Sequence, residues 1–442
     1  MAEVGAQRVI QPSILPTLPY KVYKTFNGYI CEEPTDNIDI SGWRRIYVDS
    51  SIGNDTNNGS DGNPVKTIKR AEYLAKKEMQ DNSGSVVIEI ADGSVFYYDD
   101  IPDSYSFTKP IIIRCSDGNA TIFAGKKPTF TASNNHYVSE ALTDYTIIGV
   151  VDTSEKDDYG LFSPLTVVSS ESDVENTIGS YYIDTTNKIV YVNPKDDIDD
   201  IVVIFSNKYA ILLSIVGFAA SGFCMLENLN YVGNSSATGR ASNTVGETVK
   251  RTIYAKNCKF QYGFSNNAVS FNDFEYTYVI GCVAGYCKLD CLNYHFTRKP
   301  TPTEALVVEV NCYGKEGGYY YKPNGTSDQI STCHDGANIL RCNTHGYNSD
   351  GSQIADVNGC YSVLLDCNVV NTSYAGQSGA SYAPYRFDNA AAPRNGKTIL
   401  QNCFGYDSRN TKLVSAIDLT LNGVNVGGSI TATSLCVGKE LI

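Results

Sequence analysis

"AKNCKFQYG" at Ala255–Gly263 and "LLDCNVVN" at Leu364–Asn371 are two occurrences of one recurring phrase. It also reads "LENLNYVG" from Leu226, "VIGCVAGY" from Val279, "EVNCYGKEG" from Glu309, "ILRCNTHG" from Ile339 and "LQNCFGYD" from Leu400. A small apolar residue returns at one phase of it: Leu229, Cys258, Cys282, Cys312, Cys342, Cys367 and Cys403, at spacings of 29, 24, 30, 30, 25 and 36. Self-similarity at a period of tens of residues marks stacked units, none able to bury its apolar face alone. Each phrase alternates apolar with polar for four to six residues and then breaks at Gly, Asn or Asp, which is strand-then-turn chemistry. With no helix-length pattern between the strands, the units are expected to be coils of a parallel β-solenoid. A sandwich or propeller would show tighter or more uniform spacing.

In such a stack equivalent residues lie about 4.8 Å apart and form ladders. A reduced cysteine packs as a small hydrophobe, so at least six of the 14 cysteines, those at the same phase of the repeat, are expected as interior rungs and not as disulfides. That usage suits a reducing compartment. Among 442 residues, Tyr 32 and Gly 37 against Met 3 and Trp 1 favour strands and turns. The net charge of −13, without a basic stripe, argues against nucleic acid and against an anionic membrane. The first twenty residues lack a basic start followed by an apolar core, so no signal peptide is expected. The apolar run Tyr209–Ala220 is too short to span a bilayer.

Residues 1–42, with Pro12, Pro16 and Pro19, have no element's period and are expected as an extended arm, disordered or laid on another protein. Coils are expected over 43–420, interrupted at 126–200 by an insertion whose Gly179–Asp197 stretch looks like a β-hairpin turning near Thr186 and Asn187. Val65, Ile68, Ala71, Leu74 and Ala75 fall at helical spacing behind Thr67, a helix placed to cover the open end of an apolar core. Residues 421–442 are expected to cap the far end or join a neighbouring chain.

The phrase "YVDSSIGNDTNNGSDGNPVKTIKRAEYLA", followed by "GSVVIEIADGSVF" and "KPIIIRC", resembles the opening of right-handed parallel β-helix proteins of the pectate-lyase-like superfamily. That group includes bacterial polysaccharide-degrading enzymes and bacteriophage tailspikes. The resemblance covers residues 46–125 well and 200–405 more loosely; its motif is a cap and not an active site. It implies an all-β, right-handed single-stranded parallel β-helix with a capping α-helix and a side hairpin. It further implies a homotrimeric virion tail protein, assembled in the host cytoplasm, docked through its arm to other tail proteins. Such a protein would bind and cleave a bacterial surface polysaccharide, capsule or lipopolysaccharide, without a cofactor. A non-catalytic receptor-binding protein and a bacterial lyase or hydrolase are the alternatives.

The densest polar cluster, Ser331–Gly359, holds His334, Asp335, His345, Asp350 and Asp356. Carboxylates a coil apart stack, which suits the acid and base of glycoside hydrolysis, and a histidine beside an aspartate suits a general base. The same residues also serve ordinary turns. His295, Arg298 and Lys299 form a positive spot that could stabilise a lyase's developing charge, but the calcium-binding aspartates and arginine pattern of pectate lyases are missing. Hydrolysis is therefore favoured over elimination. Cys282, Cys287, Cys291 and His295 fit zinc spacing only in part, so no metal site is expected. Tyr319, Tyr320, Tyr321, Tyr382 and Tyr385, with Arg386, lie on what read as long turns, where flat rings could stack on sugars.

Overall fold

A computed structural model describes residues 7–82, 84–214, 222–238, 251–297, 301–321, 328–372, 383–387, 394–408, 412–421, 424–428, 430–431 and 435–436. The chain repeats one circuit of three strands, so like strands of successive coils pair in parallel. Sheet A has twelve strands in the described residues and sheets B and C have ten each. One circuit runs from Arg251–Lys256 in sheet A to Lys259–Gln261 in sheet B and Val269–Asn272 in sheet C. The next returns to sheet A at Tyr276–Ile280, in register Ile253 to Thr277 and Ala255 to Val279.

The recurring phrase is the corner between sheets A and B. One residue there takes the left-handed conformation: Asn228, Asn257, Gly281, Asn311, Asn343, Asp366 and Asn402, with φ between 52° and 61°. Asn and Gly tolerate that conformation best, which is why the phrase carries them. The residue that follows turns inward: Leu229, Cys258, Cys282, Cys312, Cys367 and Cys403 are buried free thiols or leucine. One rung differs from the expected ladder. After Asn343 the inward residue is Thr344, while Cys342 comes just before Asn343, in register with Val310 and Leu365 on the outer face of sheet A.

Thr67 caps the helix Ile68–Asp81, its Oγ1 accepting the Arg70 N–H at 3.0 Å. The buried face, Ile68, Ala71, Ala75 and Met79, joins Ile46, Val48, Val86 and Ile88 of the first two sheet A strands in the main apolar cluster.

Residues 7–42 differ from the extended arm expected of them. Arg8–Ile10, Val22–Thr25 and Gly28–Cys31 form a three-stranded antiparallel sheet. Ile10, Leu15, Leu18, Val22 and Tyr29 pack on the outer face of sheet A against Tyr254, Tyr278, Val308, Leu340 and Val363. Tyr254 Oη donates to Glu32 O at 3.1 Å, Asn311 Nδ2 to Tyr29 O at 2.9 Å, and Lys24 pairs with Asp366 at 3.0 Å. The reason is compositional: sheet A is apolar on both faces, and the outer one needs a cover. The apolar residues of this segment thus meet the chain's own coils.

The insertion leaves between Ala120–Phe123 of sheet B and Ile211–Ser214 of sheet C. It holds a five-stranded sheet, Phe130–Ser133, His136–Ser139, Ile189–Asn193, Ser180–Asp184 and Thr166–Val167, which includes the hairpin Ser180–Asp184/Ile189–Asn193. Its own core contains Leu165, Tyr181, Val190, Val192 and Val203. At the far end Val424–Gly427, Ile430–Thr431 and Leu435–Cys436 pair antiparallel with sheets A, C and B respectively. The last parallel strand of each sheet is thereby paired on its far side.

Residues 7–42 thus form a strap over the outer face of sheet A, and the strap makes a prediction. A chain beginning at residue 43 uncovers Tyr254, Tyr278, Val308 and Leu340 and is expected to bind a hydrophobic dye and aggregate. Tyr29→Ala alone is expected to cost about 3 kcal/mol in denaturant unfolding.

Candidate functional site

The corner between sheets B and C carries the polar and aromatic turns, and the insertion leaves from the same corner. Asp290 lies there, in the turn before strand Leu292–His295 of sheet C. Its Oδ1 accepts the Gln329 N–H and its Oδ2 the Asn293 Nδ2–H, both at 2.7 Å. Its own N–H donates to Asn267 Oδ1 at 2.9 Å. Burial pushes the Asp290 carboxyl up to about 6, against the pull of these hydrogen bonds and of His295. It is an acid poised to hold its proton in mildly acidic water.

From Asp290 a polar strip runs along the outer face of sheet C. Asn293 and His295 lie on the outer face of the strand, since Leu292 and Tyr294 face the core; His295 is partly exposed, whereas Asn293, like Thr332 beside it, is buried. In the next coil Thr332 stands in register with Asn293. Thr332 Oγ1 shares a hydrogen bond with His334 Nε2 at 3.0 Å, and the His334 ring stacks on His295 at 4.0 Å between centroids. Asp335 closes the strip from a left-handed turn at φ 63°. Its Oδ2 accepts the Phe296 N–H at 2.9 Å and lies 3.5 Å from His295 Nδ1. Burial works to raise the Asp335 pKa, but the His295 and Phe296 contacts outweigh it and hold the group below the ordinary carboxylate range. Burial, aided by the neighbouring His295, pushes His334 down to about 3, so its imidazole is neutral at ordinary pH.

A groove of about 740 Å³ opens between the insertion and the coils, lined in part by Leu165, Tyr181, Tyr182, Phe264, Tyr319 and Tyr320. Its floor is built by rings on successive corner turns: Phe264 meets Tyr320 at 4.8 Å and Tyr319 meets Tyr286 at 5.5 Å. The Gly318 N–H donates to Leu289 O at 3.0 Å, tying this floor to the turn that bears Asp290. Groove and strip are therefore neighbours around one corner.

The structure divides the polar cluster of Ser331–Gly359. His334 and Asp335 meet His295. Asp356 does not join them: it points into the solenoid, fully buried against Arg341, because strand Ile354–Asp356 alternates and places it opposite Cys333. Asp350 is buried in the next corner turn, its N–H bonded to Gly317 O at 3.0 Å. His345 stands on sheet B, where its Nε2 contacts Asn343 Oδ1 at 2.8 Å. Tyr385 is also no surface contact; it is wholly buried and its hydroxyl donates to Phe404 O at 2.7 Å. Arg386, beside it, is on the outer face of sheet C in register with Ala355. Tyr319 and Tyr320 line the groove; Arg298, Lys299, Tyr382 and the side chain of Tyr321 lie outside the described residues. Cys287 and Cys291 face the core with their sulfurs 3.4 Å apart, away from His295, and no metal-holding group occurs among the described residues. Asp290 and Asn293 escaped sequence reasoning. Asp290 looks like a turn aspartate between Leu289 and Cys291, and only burial by the stacked turns distinguishes it.

No family model and no curated protein matches this sequence. Among solved structures, one described as a glycoside hydrolase is similar over 84% of this chain and 95% of its own, with a TM-score of 0.52 at 10% identity. A lacto-N-biosidase from Eubacterium ramulus covers 87% of this chain and 66% of its own at a TM-score of 0.33 and 10% identity. A rhamnogalacturonan lyase covers 81% of each chain at a TM-score of 0.29 and 10% identity. The first likeness supports a shared fold; the other two carry no argument.

The raised carboxyl yields a prediction about stability. A carboxyl whose folded pKa lies above its unfolded value weakens the fold as pH rises from about 4 through about 6, and the cost is complete above that window. Asp290→Asn is therefore expected to unfold later than the parent at pH 8, by an amount on the order of 2 kcal/mol. At pH 4 that advantage disappears. Denaturant melts at the two pH values check it.

Proposed function

We propose that this protein is a glycoside hydrolase that cleaves within a bacterial surface polysaccharide. One observation carries the reading: two carboxyls that flank strand Leu292–His295, Asp290 ahead of it and Asp335 of the next coil beside its end, are driven in opposite directions, Asp290 up and Asp335 down. Such a divergence is how one site supplies both an acid and a base. Asp290 donates its proton to the glycosidic oxygen as the bond breaks. Asp335, oriented by His295, accepts a proton from the attacking water. Neutral His334 hydrogen-bonds the sugar ring, and Asn293 holds the Asp290 carboxyl in place. The aromatic groove next to Asp290 binds the flanking sugars on Tyr319 and Tyr320. The likeness to a solved glycoside hydrolase fold is consistent with this chemistry.

A homotrimeric phage tailspike is the finer form of this proposal, and the mass of the native particle in solution tests it.

The assay follows new reducing ends together with the ultraviolet absorbance of unsaturated uronates, over a panel of capsules and lipopolysaccharides. Reducing ends without absorbance are expected. Asp290→Asn and Asp335→Asn are each expected to lower kcat by about 10²–10⁴ while polysaccharide binding persists. The rate should fall as pH rises through about 6, where Asp290 loses its proton. Absorbance at the new ends would replace hydrolysis with elimination, and full activity in both variants would remove this strip from the chemistry.

A further inference from the structure

Directly beneath the strip the solenoid interior stops being apolar. Glu309 and Arg341, successive rungs of sheet A, and Asp356 of sheet C have no exposed side-chain surface. Arg341 bonds both Asp356 oxygens, at 2.6 and 2.8 Å, and its Nε lies 3.2 Å from Glu309 Oε2. An ionic group of this kind is weak support for stability, since apolar side chains of similar volume often serve as well or better. Its contacts indicate another use. Ser331 Oγ donates to Glu309 Oε1 at 2.6 Å and accepts from Arg341 Nη2 at 2.8 Å, and the Cys333 N–H donates to Asp356 Oδ1 at 3.1 Å. The Tyr294 hydroxyl is buried near Glu309, whose charge opposes its ionisation. Ser331, Cys333 and Tyr294 are the inward residues of the two strands whose outward residues make the strip.

We propose that Glu309, Arg341 and Asp356 are positioning residues. They lock the register of strand Ser331–Cys333 so that Thr332, His334 and Asp335 meet Asn293 and His295. A slip of one residue would exchange the faces, turning Thr332 and His334 inward. An all-apolar interior discriminates weakly between Ser331 or Cys333 and Thr332, whereas this ionic group demands the hydroxyl and the amide where they stand.

The test is a triple variant, Glu309→Leu, Arg341→Met and Asp356→Leu, which leaves no charge stranded. Ser331→Ala accompanies it, as a variant that removes one of the strand's two links, leaves the Cys333 amide on Asp356 and keeps all three charges. Proton NMR follows the four histidines of the full chain through pH, and kinetics follow cleavage. In the parent His334 is expected to protonate only near pH 3. In the folded triple variant its midpoint is expected to climb by about two pH units, toward the free imidazole value. Ser331→Ala should move it in the same direction by less. The kinetic arm rests on the hydrolase reading: kcat should fall at least about tenfold with KM little changed, as for an interaction made only in the transition state. Unchanged histidine titrations in a cooperatively melting triple variant overturn the proposal. Should the triple variant fail to fold, Ser331→Ala decides it by the same measurement. A parent that cleaves nothing while the histidine shifts appear overturns the hydrolase reading and leaves the positioning role standing.

Discussion

The parallel stacking of like strands is the constraint on which the rest depends. Because rungs lie about 4.8 Å apart, the sheets need an abrupt, repeatable corner, and one left-handed residue supplies it between sheets A and B. At Asn257 and Asn311 that residue also sets which neighbour turns inward, so corner geometry and core composition are linked. Cys258, Cys282 and Cys312 can then stack because a thiol is small and needs only a weak hydrogen-bond partner. Cys312 Sγ finds Val279 O at 3.0 Å.

Coils and core were readable in the sequence because their signals are local and repeated. The Asn–Cys phrase placed six of the seven inward corner residues. Cys342 misled because the match was made on the thiol and not on the left-handed Asn343 that follows it. Counting from the asparagine instead selects Thr344, and the chemistry agrees: Thr344 Oγ1 donates to the buried Glu309 Oε2 at 3.1 Å, which a thiol would do poorly. The strap was unreadable for a different reason. Leu15, Leu18, Val22 and Tyr29 have no period of their own, because their partners are the outer residues of sheet A, more than a hundred positions away for Tyr254 and Val308.

The strip was half readable. His295, His334 and Asp335 drew notice as rare titratable side chains, and outward alternation on adjacent coils brings them together. Asp356 drew notice for the same reason and belongs inside, because a three-residue strand gives no alternation long enough to assign its faces. Asp290 is the converse case. Its environment depends on Asn267, Asn293 and Gln329, which arrive from three stacked segments, and no local pattern encodes that meeting.

These features share one part of the molecule for a physical reason. A solenoid's flat faces repeat, so a distinctive site needs something that breaks the repeat. Here the breaks coincide: the insertion leaves the corner between sheets B and C, the aromatic turns fill that corner, and the interior gives up its thiol ladder for charge under the same strands. Thr344 is where the last two meet, since the rung that loses its cysteine is the rung that must satisfy Glu309. A site on a repeating scaffold is thus organised from both sides. The turns around Asp290 set the environment of the outer strip, and the ionic layer beneath contacts the two strands that present it.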